Sequence, residues 1–369
     1  MPSVQLVNLT KYYGKIKAVD KVNLKINDGE YICVIGPSGC GKTTLIKCIA
    51  GIIEPTEGEV YIGDRLVNNV PIEKRGIGYV FQEIALFPHM NVYENVSYGP
   101  VVKGWDMSRA ERLIEEMIHM MALHDRIADY PNELSGGAQQ KTAIARALSS
   151  GSTLLLLDEP LGALDAKVRD VLRRELRRMV KDLGLTALHV THDQEEAMAI
   201  SDRIVVMKAG RIVEVGTPME LYLHPKKLFT ANFVGEANFM VGEILEITER
   251  GSWIKVNDER IYTSNKLSNV SEGEEVVLAI RPEFIVMRRY EKRRSIMWLG
   301  KVENKTFMGS SVRYEVKMDN GLVISVKKPS TSETTLIEIG DKVNLIFPPE
   351  YVLLYQYPKD GLEKEISIE

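Results

Sequence analysis

An apolar run at residues 31–35 leads directly into Gly36-Pro37-Ser38-Gly39-Cys40-Gly41-Lys42-Thr43. The run is apolar at every position and short, as in a strand buried on both faces. The octapeptide has the spacing G-x-x-x-x-G-K-[ST]. After it, Leu45, Ile46 and Ile49 share one face of a helix that Gly51 ends. Buried strand, glycine-rich loop and helix start, in that order, make a phosphate-binding loop. The glycines let the backbone curl so that successive N–H groups face an anion at the positive end of the helix. Lys42 supplies a point charge to β- and γ-phosphates, Thr43 offers a hydroxyl to magnesium, and Thr44 continues the phosphate-facing set.

Strand–helix alternation returns at Leu154-Leu155-Leu156-Leu157-Asp158-Glu159-Pro160. Residues 154–157 predict a second buried strand, residues 166–183 a helix ended by Gly184, and residues 186–190 another strand. Between the two segments, Leu113, Met117, Met120 and Leu123 form a helical stripe, with Ser108 and Glu111 as its capping box. This predicts an α/β domain with a mostly parallel sheet, interrupted by a helical subdomain at about residues 88–150. Near the start, Val22, Leu24 and Ile26 alternate, and Asp28-Gly29 gives a hairpin signal. Beyond residue 235, short β-rich runs at 240–247, 276–280, 312–316, 322–326 and 343–347 predict a small barrel-like domain. The expected domains are residues 1–235 and 236–369.

Asp158, at the end of a buried strand, can hold magnesium through water, and Glu159 can orient and polarise an attacking water. Without a phosphate loop in the chain, two such acids would more often cap a helix. Cys40 lies at a helix start beside Lys42, and both features favour thiolate, so a reactive thiol shielded by nucleotide is expected.

Leu134-Ser135-Gly136-Gly137-Ala138-Gln139-Gln140 opens another helix, continued by Ile144, Ala147 and Leu148. Here the chain resembles the ATP-binding cassette (ABC) family, whose signature reads Leu-Ser-Gly-Gly-Gln, and the resemblance covers residues 3 to about 235. It implies ATP and Mg2+ as cofactors and two cassettes stacked head to tail. Ser135, Gly136 and Gly137 of one would then close over ATP held by the other's residues 36–44. It further implies that Tyr13 stacks on adenine, with Tyr12 the competing choice, and that Gln82 senses magnesium and the lytic water. Leu161-Gly162-Ala163-Leu164-Asp165 resembles the dimer-contact loop, and His192 the switch histidine at the γ-phosphate. Glu159, His192, Gln82 and Lys42 are thus the expected catalytic residues; Thr43, Gln82 and Asp158 are the expected metal set. Two positions depart from the family: Ala138 replaces the usual Gln, and Lys141 the usual Arg. Ser135-x-x-Gln would be a capping box, so Ala138 points to weakened closure over ATP unless Gln139 or Gln140 compensates.

No run of roughly 18 apolar residues is present, so the chain is not expected to span a membrane by itself. The start lacks the layout of a secretory signal, and three cysteines at positions 33, 40 and 48 suit a reducing cytosol rather than a zinc site. A net charge of -4 argues against a strongly basic nucleic-acid binder. One helix carries Arg169, Arg173, Arg174, Arg177 and Arg178, but Asp170, Glu175 and Asp182 among them predict an ion-paired face. A small-molecule kinase would share the phosphate loop but needs neither the segment at 134–140 nor a carboxylate after Asp158.

A single cassette with a β-rich tail resembles importers of the maltose, spermidine/putrescine, sulfate and ferric-ion types. Their tails have an OB-like fold, and Ile280-Arg281-Pro282-Glu283 matches a motif recurring there. The expected protein is therefore the ATPase subunit of an importer for a sugar, polyamine or inorganic ion. The resemblance places it peripherally at the cytoplasmic face of the cell membrane, as a homodimer or cassette heterodimer. Its implied partners are membrane-spanning permease subunits and an extracytoplasmic solute-binding protein, with no nucleic acid. Leu86, Phe87, Pro88, His89 and Met90 are expected to line the groove for a permease helix, and residues 235–239 lean toward polyamine, sulfate or iron types.

Overall fold

The computed structural model describes residues 2–268, 270–290, 298–331 and 337–368. The chain divides into two compact units, residues 1–219 and 220–369.

The first unit opens with β1 (Val4–Tyr13) and β2 (Ile16–Ile26), an antiparallel hairpin turned at Gly14, whose φ is 57°. They are followed by β3 (Tyr31–Ile35), α1 (Lys42–Ala50), β4 (Glu57–Ile62), β5 (Arg65–Leu66) and β6 (Ile77–Val80). Three helices come next: α2 (Val92–Val102), α3 (Met107–Met120) and α4 (Gly136–Ser149). The unit then runs through β7 (Leu154–Asp158), α5 (Ala166–Asp182), β8 (Thr186–Val190), α6 (Gln194–Ile200), β9 (Arg203–Lys208) and β10 (Arg211–Gly216).

Two sheets result. One is antiparallel, in the order β2-β1-β4-β5; the other runs β10-β9-β3-β8-β7-β6 and is parallel except for the edge strand β10. Every residue of β3, β7 and β8 is buried; β3 and residues 154–157 are unbroken apolar runs, whereas Asp158, Thr186 and His189 are buried polar residues. Leu45, Ile46 and Ile49 of α1 share a core with Leu6 and Val60 of the first sheet and Val34, Leu156 and Leu188 of the second. That core fixes the helix that carries Lys42 and Thr43.

Three expectations need correction. Asp28-Gly29 closes no hairpin, because β2 pairs with β1 while β3 enters the parallel sheet, where both its faces are covered. The cap of α3 is Asp106, two residues before Ser108; its carboxylate accepts from the Ser108 and Arg109 N–H groups and the Ser108 hydroxyl. The chain divides after Met219 rather than at 235, since Leu228 and Ala231 bury against Val277, Ala279, Leu353 and Tyr355 of the second unit.

In that second unit the described strands form two five-stranded antiparallel sheets. Their inner faces share one core, with Met240, Ile254 and Leu278 from one sheet and Val302, Tyr314 and Val316 from the other. Each of the five β-rich runs anticipated beyond residue 235 overlaps a strand, at Asn238–Thr248, Glu275–Ile280, Ser311–Met318, Val323–Pro329 and Lys342–Ile346. Arg281 of the Arg-Pro-Glu segment is 2% exposed; its guanidinium lies over the Tyr222 ring and donates to the Tyr222 and Glu236 carbonyls.

Candidate functional site

The parallel strands point their carboxyl ends at one region, the usual place for a ligand in such a sheet. After β3, the loop of residues 36–41 turns back tightly. A Cβ on Gly36 would lie 2.4 Å from the Met207 carbonyl oxygen, and one on Gly41 would lie 2.1 Å from that of Ala18. Gly41 opens α1 with φ 105° and no described side-chain cap, leaving the first N–H groups for an anion. The Lys42 ammonium donates to the Gly36 and Pro37 carbonyls at 2.8 and 2.9 Å, so it lies over its own loop. A cleft of 260 Å³ follows, lined by Ala18, Ser38, Gly39, Gly41, Lys42, Thr43, Thr44 and Glu159.

Arg75, which the sequence reading missed, holds the far end of α1. It is 7% exposed and donates to the Ile49 carbonyl at 2.8 Å and to those of Cys48, Val70 and Asn68. A cation at the negative end of the helix steadies it. No local sequence signal marks it.

Two clusters of side chains meet at the strand ends. In the first, the Thr43 hydroxyl donates to Asp158 Oδ1 at 3.1 Å and the Tyr79 hydroxyl to Asp158 Oδ2 at 3.0 Å. Burial, then the neighbouring Asp158, pushes the Tyr79 pKa up, so the phenol keeps its proton and donates. Tyr79 is a second residue the sequence reading missed. In the other cluster, Glu159 Oε2 accepts from Gln82 Nε2 at 3.1 Å and lies 3.0 Å from His192 Nδ1. Glu159 has φ 48°, an unusual conformation for a side-chain-bearing residue, and its N–H donates to the Val190 carbonyl at 2.9 Å. The strained turn aims its carboxylate away from the strand and into the cleft. Gln82, Glu159 and His192 therefore converge on one oxygen, beside a hydroxyl–carboxylate pair of the kind a hard divalent cation takes. Among the described residues no group of three or more His, Cys, Asp or Glu side chains could hold a metal alone. A cation here would have to share nucleotide oxygens or water.

The other expected residues lie apart. Ser135, Gly136 and Gly137 do not line the 260 Å³ cleft; Ser135 and Gly137 border a separate one of 460 Å³ with Arg126, Lys141 and Lys167. Ser135 caps α4, accepting from the Ala138 N–H at 3.4 Å, while Gln139 Nε2 donates to the Pro131 and Leu134 carbonyls at 2.8 and 3.2 Å and ties down the preceding turn. Tyr13, at the end of β1, is 46% exposed and carries Lys11 over its ring; Tyr12 carries Lys17 in the same way. In the loop after Glu159, Leu161 and Leu164 are buried, and Asp165 caps α5 through the Val168 N–H. Around Leu86–Met90 the buried Asn95 accepts from the Phe87 N–H and donates to the Phe87, Met90 and Asn91 carbonyls, holding the loop in shape. The basic face of α5 is ion-paired, through Arg169–Asp193, Arg173–Asp170, Arg177–Asp202 and Arg178–Asp182.

The expectation for Cys40 is overturned. The residue is 4% exposed, and burial pushes its thiol pKa up although Lys42 Nζ lies 3.9 Å away. Cys33 and Cys48 are fully buried, and their pKa values are raised for the same reason. We expect an aromatic disulfide reagent to leave all three thiols unlabelled in the native chain and to titrate three after denaturation. Rapid native labelling of one thiol would contradict the burial.

Loop, strand-end carboxylates and the helix start at Ser135 define a P-loop ATPase of the cassette class. Comparison with known proteins agrees: the ABC transporter family matches over residues 19–162 and the TOBE domain family over residues 278–354. The spermidine/putrescine import ATP-binding protein PotA of Haemophilus ducreyi is 39% identical over 93% of this chain and 94% of its own. That of Fusobacterium nucleatum is 38% identical over 88% of each. Among solved structures, the dimeric ATP-binding cassette MJ0796 bound to ADP and Pi is 35% identical, with a TM-score of 0.52 over 58% of this chain and 98% of that one. CbiO1 of Clostridium perfringens, part of an ABC transporter complex, is 28% identical with a TM-score of 0.57, over 60% and 90%. The chain belongs to the ABC transporter family, among its import ATP-binding subunits, and it is an ATPase. No helix of the described residues is long and apolar enough to cross a membrane.

Proposed function

We propose that this chain powers the import of a polyamine, spermidine or putrescine. The observation that carries the reading is similarity to spermidine/putrescine import ATP-binding proteins along nearly the whole length of both chains, β-rich unit included. In this reading the chain sits peripherally at the cytoplasmic face of the membrane. It pairs with a second cassette, with permease subunits that dock near Leu86–Met90, and through them with an extracytoplasmic binding protein. The division of labour follows the two units: ATP chemistry in the first, with residues 88–150 as its helical subdomain, and regulation and dimer contact in the second.

In this reading each site residue has a stated role. The N–H groups of residues 36–44 and the Lys42 ammonium bind the phosphates, and Tyr13 stacks on the base. Thr43, Asp158 and Gln82 would hold Mg2+, which would supply charge neutralisation at the phosphates. Glu159 Oε2, set between Gln82 and His192, accepts the proton of the attacking water. His192 orients that carboxylate and reaches the γ-phosphate. Ser135, Gly136 and Gly137 of the partner cassette complete the site from the other side. The test is reconstitution of the transporter in vesicles. ATP turnover should rise with a spermidine- or putrescine-loaded binding protein; stimulation only by a sugar- or oxyanion-loaded one would overturn the polyamine reading.

Closure between cassettes gives a further expected result. Ala138→Gln adds a side chain able to accept from the Ser135 N–H and complete a capping box, worth about 0.5–2 kcal/mol. In a hydrolysis-blocked background it should tighten ATP-dependent dimerisation several-fold by sedimentation. Coincident curves would mean that the tie made by Gln139 already suffices.

A further inference from the structure

Behind the loop that carries His192 lies a buried polar chain that the ATPase chemistry above does not use. Tyr31, His189, Thr191 and Glu196 are all at most 3% exposed. Tyr31 OH lies 3.0 Å from His189 Nδ1; His189 Nε2 lies 3.4 Å from Glu196 Oε1 without forming a hydrogen bond, and neither of those last two atoms has a hydrogen-bond partner among the described residues. The Thr191 hydroxyl donates to Glu196 Oε2 at 2.5 Å and accepts from the Asp193 N–H at 3.0 Å. Asp193 in turn accepts the Glu196 N–H at 3.0 Å as the cap of α6, and pairs with Arg169. His192 thus sits between Thr191, whose hydroxyl is held by the buried Glu196 carboxyl group, and Asp193, whose N–H bonds that same hydroxyl. Its own side chain is 58% exposed and touches Glu159 at 3.0 Å.

We propose that Glu196, acting through Thr191, is a positioning residue for ATP hydrolysis: it fixes the main chain on either side of His192 and so holds the imidazole against Glu159. A carboxyl group in this place is costly to bury, and an apolar residue on the inner face of α6 would pack without that cost. What the carboxyl group adds is the bond from the Thr191 hydroxyl, which in turn accepts the Asp193 N–H. The protonation states support the link. Burial lowers the His189 pKa to about 3, so the ring is neutral; when Tyr31 donates to Nδ1, the proton on Nε2 faces Glu196. The Thr191 hydroxyl is the joint between Glu196 and the main chain at Asp193, so removing it loosens the loop. A displacement of about 1 Å at a reacting group costs on the order of 10²-fold in rate.

The inference rests on the role given to His192 above, and the experiment separates the two. Steady-state kcat and KM, with nucleotide Kd by fluorescence, are measured on the full chain for Thr191→Val, Glu196→Leu, Glu196→Gln and His192→Ala. Thr191→Val and Glu196→Leu should lower kcat about tenfold or more while nucleotide Kd changes less than about twofold. Glu196→Gln should keep most of kcat, since its amide oxygen still accepts from Thr191. If Glu196→Leu does not fold, the contrast between Thr191→Val and Glu196→Gln decides. Wild-type kcat in Thr191→Val beside a slow His192→Ala overturns this inference alone. Wild-type kcat in His192→Ala overturns the catalytic reading itself. Parallel loss of kcat and nucleotide affinity in Thr191→Val would make the chain merely structural and also overturns the inference.

Discussion

Replacing Glu159 by Gln should slow ATP hydrolysis by a factor on the order of 10²–10⁴ while ATP still binds. The amide is nearly isosteric and can keep a contact to Gln82 or His192, which lie 3.1 and 3.0 Å from Oε2, but it cannot take a proton from water. The phosphate loop and the Thr43–Asp158 pair, with their own hydrogen bonds, stay intact. Binding and chemistry should therefore separate: nucleotide Kd within a few-fold of wild type, kcat collapsed, and an ATP-bound dimer accumulating because nothing discharges it. Single-turnover hydrolysis and sedimentation with Mg-ATP measure both. Turnover at the wild-type rate would remove Glu159 from the mechanism, and the strained φ of 48° at that residue would need another explanation.

Lys42→Ala should act earlier, on binding itself. Lys42 is 6% exposed and, in this structure, spends its ammonium on the Gly36 and Pro37 carbonyls. Those bonds hold the charge over the loop in readiness for phosphate, so little rearrangement is needed when nucleotide enters. Truncation removes the cation that faces the β- and γ-phosphates, and losing one partner of a buried charge pair costs about 2–5 kcal/mol. Nucleotide Kd should rise by at least about 30-fold, and hydrolysis should fall with it. Equilibrium binding of a fluorescent ATP analogue checks this; unchanged affinity would mean that backbone N–H groups alone hold the phosphates. The two variants differ in kind, since one keeps nucleotide and loses chemistry while the other loses nucleotide.

The phosphate loop, the Asp158–Glu159 pair and the segment at 134–140 were legible in the sequence because each is a contiguous pattern whose chemistry depends on near neighbours. Burial of β3 and of residues 154–157 in β7 was legible for the same reason: an unbroken apolar run says so locally. Tyr79 and Arg75 were not legible. Tyr79 reaches Asp158 across 79 positions of chain, and Arg75 reaches the end of α1 across 26 and 27. A polar residue in a strand or turn carries no mark of which distant atom it will meet.

Cys40 and the turn at Asp28-Gly29 show the same division. Beside Lys42 at a helix start, a thiol reads as reactive; only the packing of the loop against its surroundings buries it and reverses the direction of its pKa shift. Asp28-Gly29 specifies that the chain bends, not which strand the next one pairs with. Sequence by itself determined the class of chemistry, through local spacing of glycines, lysine and carboxylates, and the order of strands and helices, through hydrophobic period. Tertiary structure decided the strand order β3-β8-β7-β6, and with it that Gln82, Glu159 and His192, each after a different strand, meet at one oxygen. The physical reason is that hydrogen-bonded pairing between strands acts across the sheet, whereas sequence patterns record only what neighbours along the chain require.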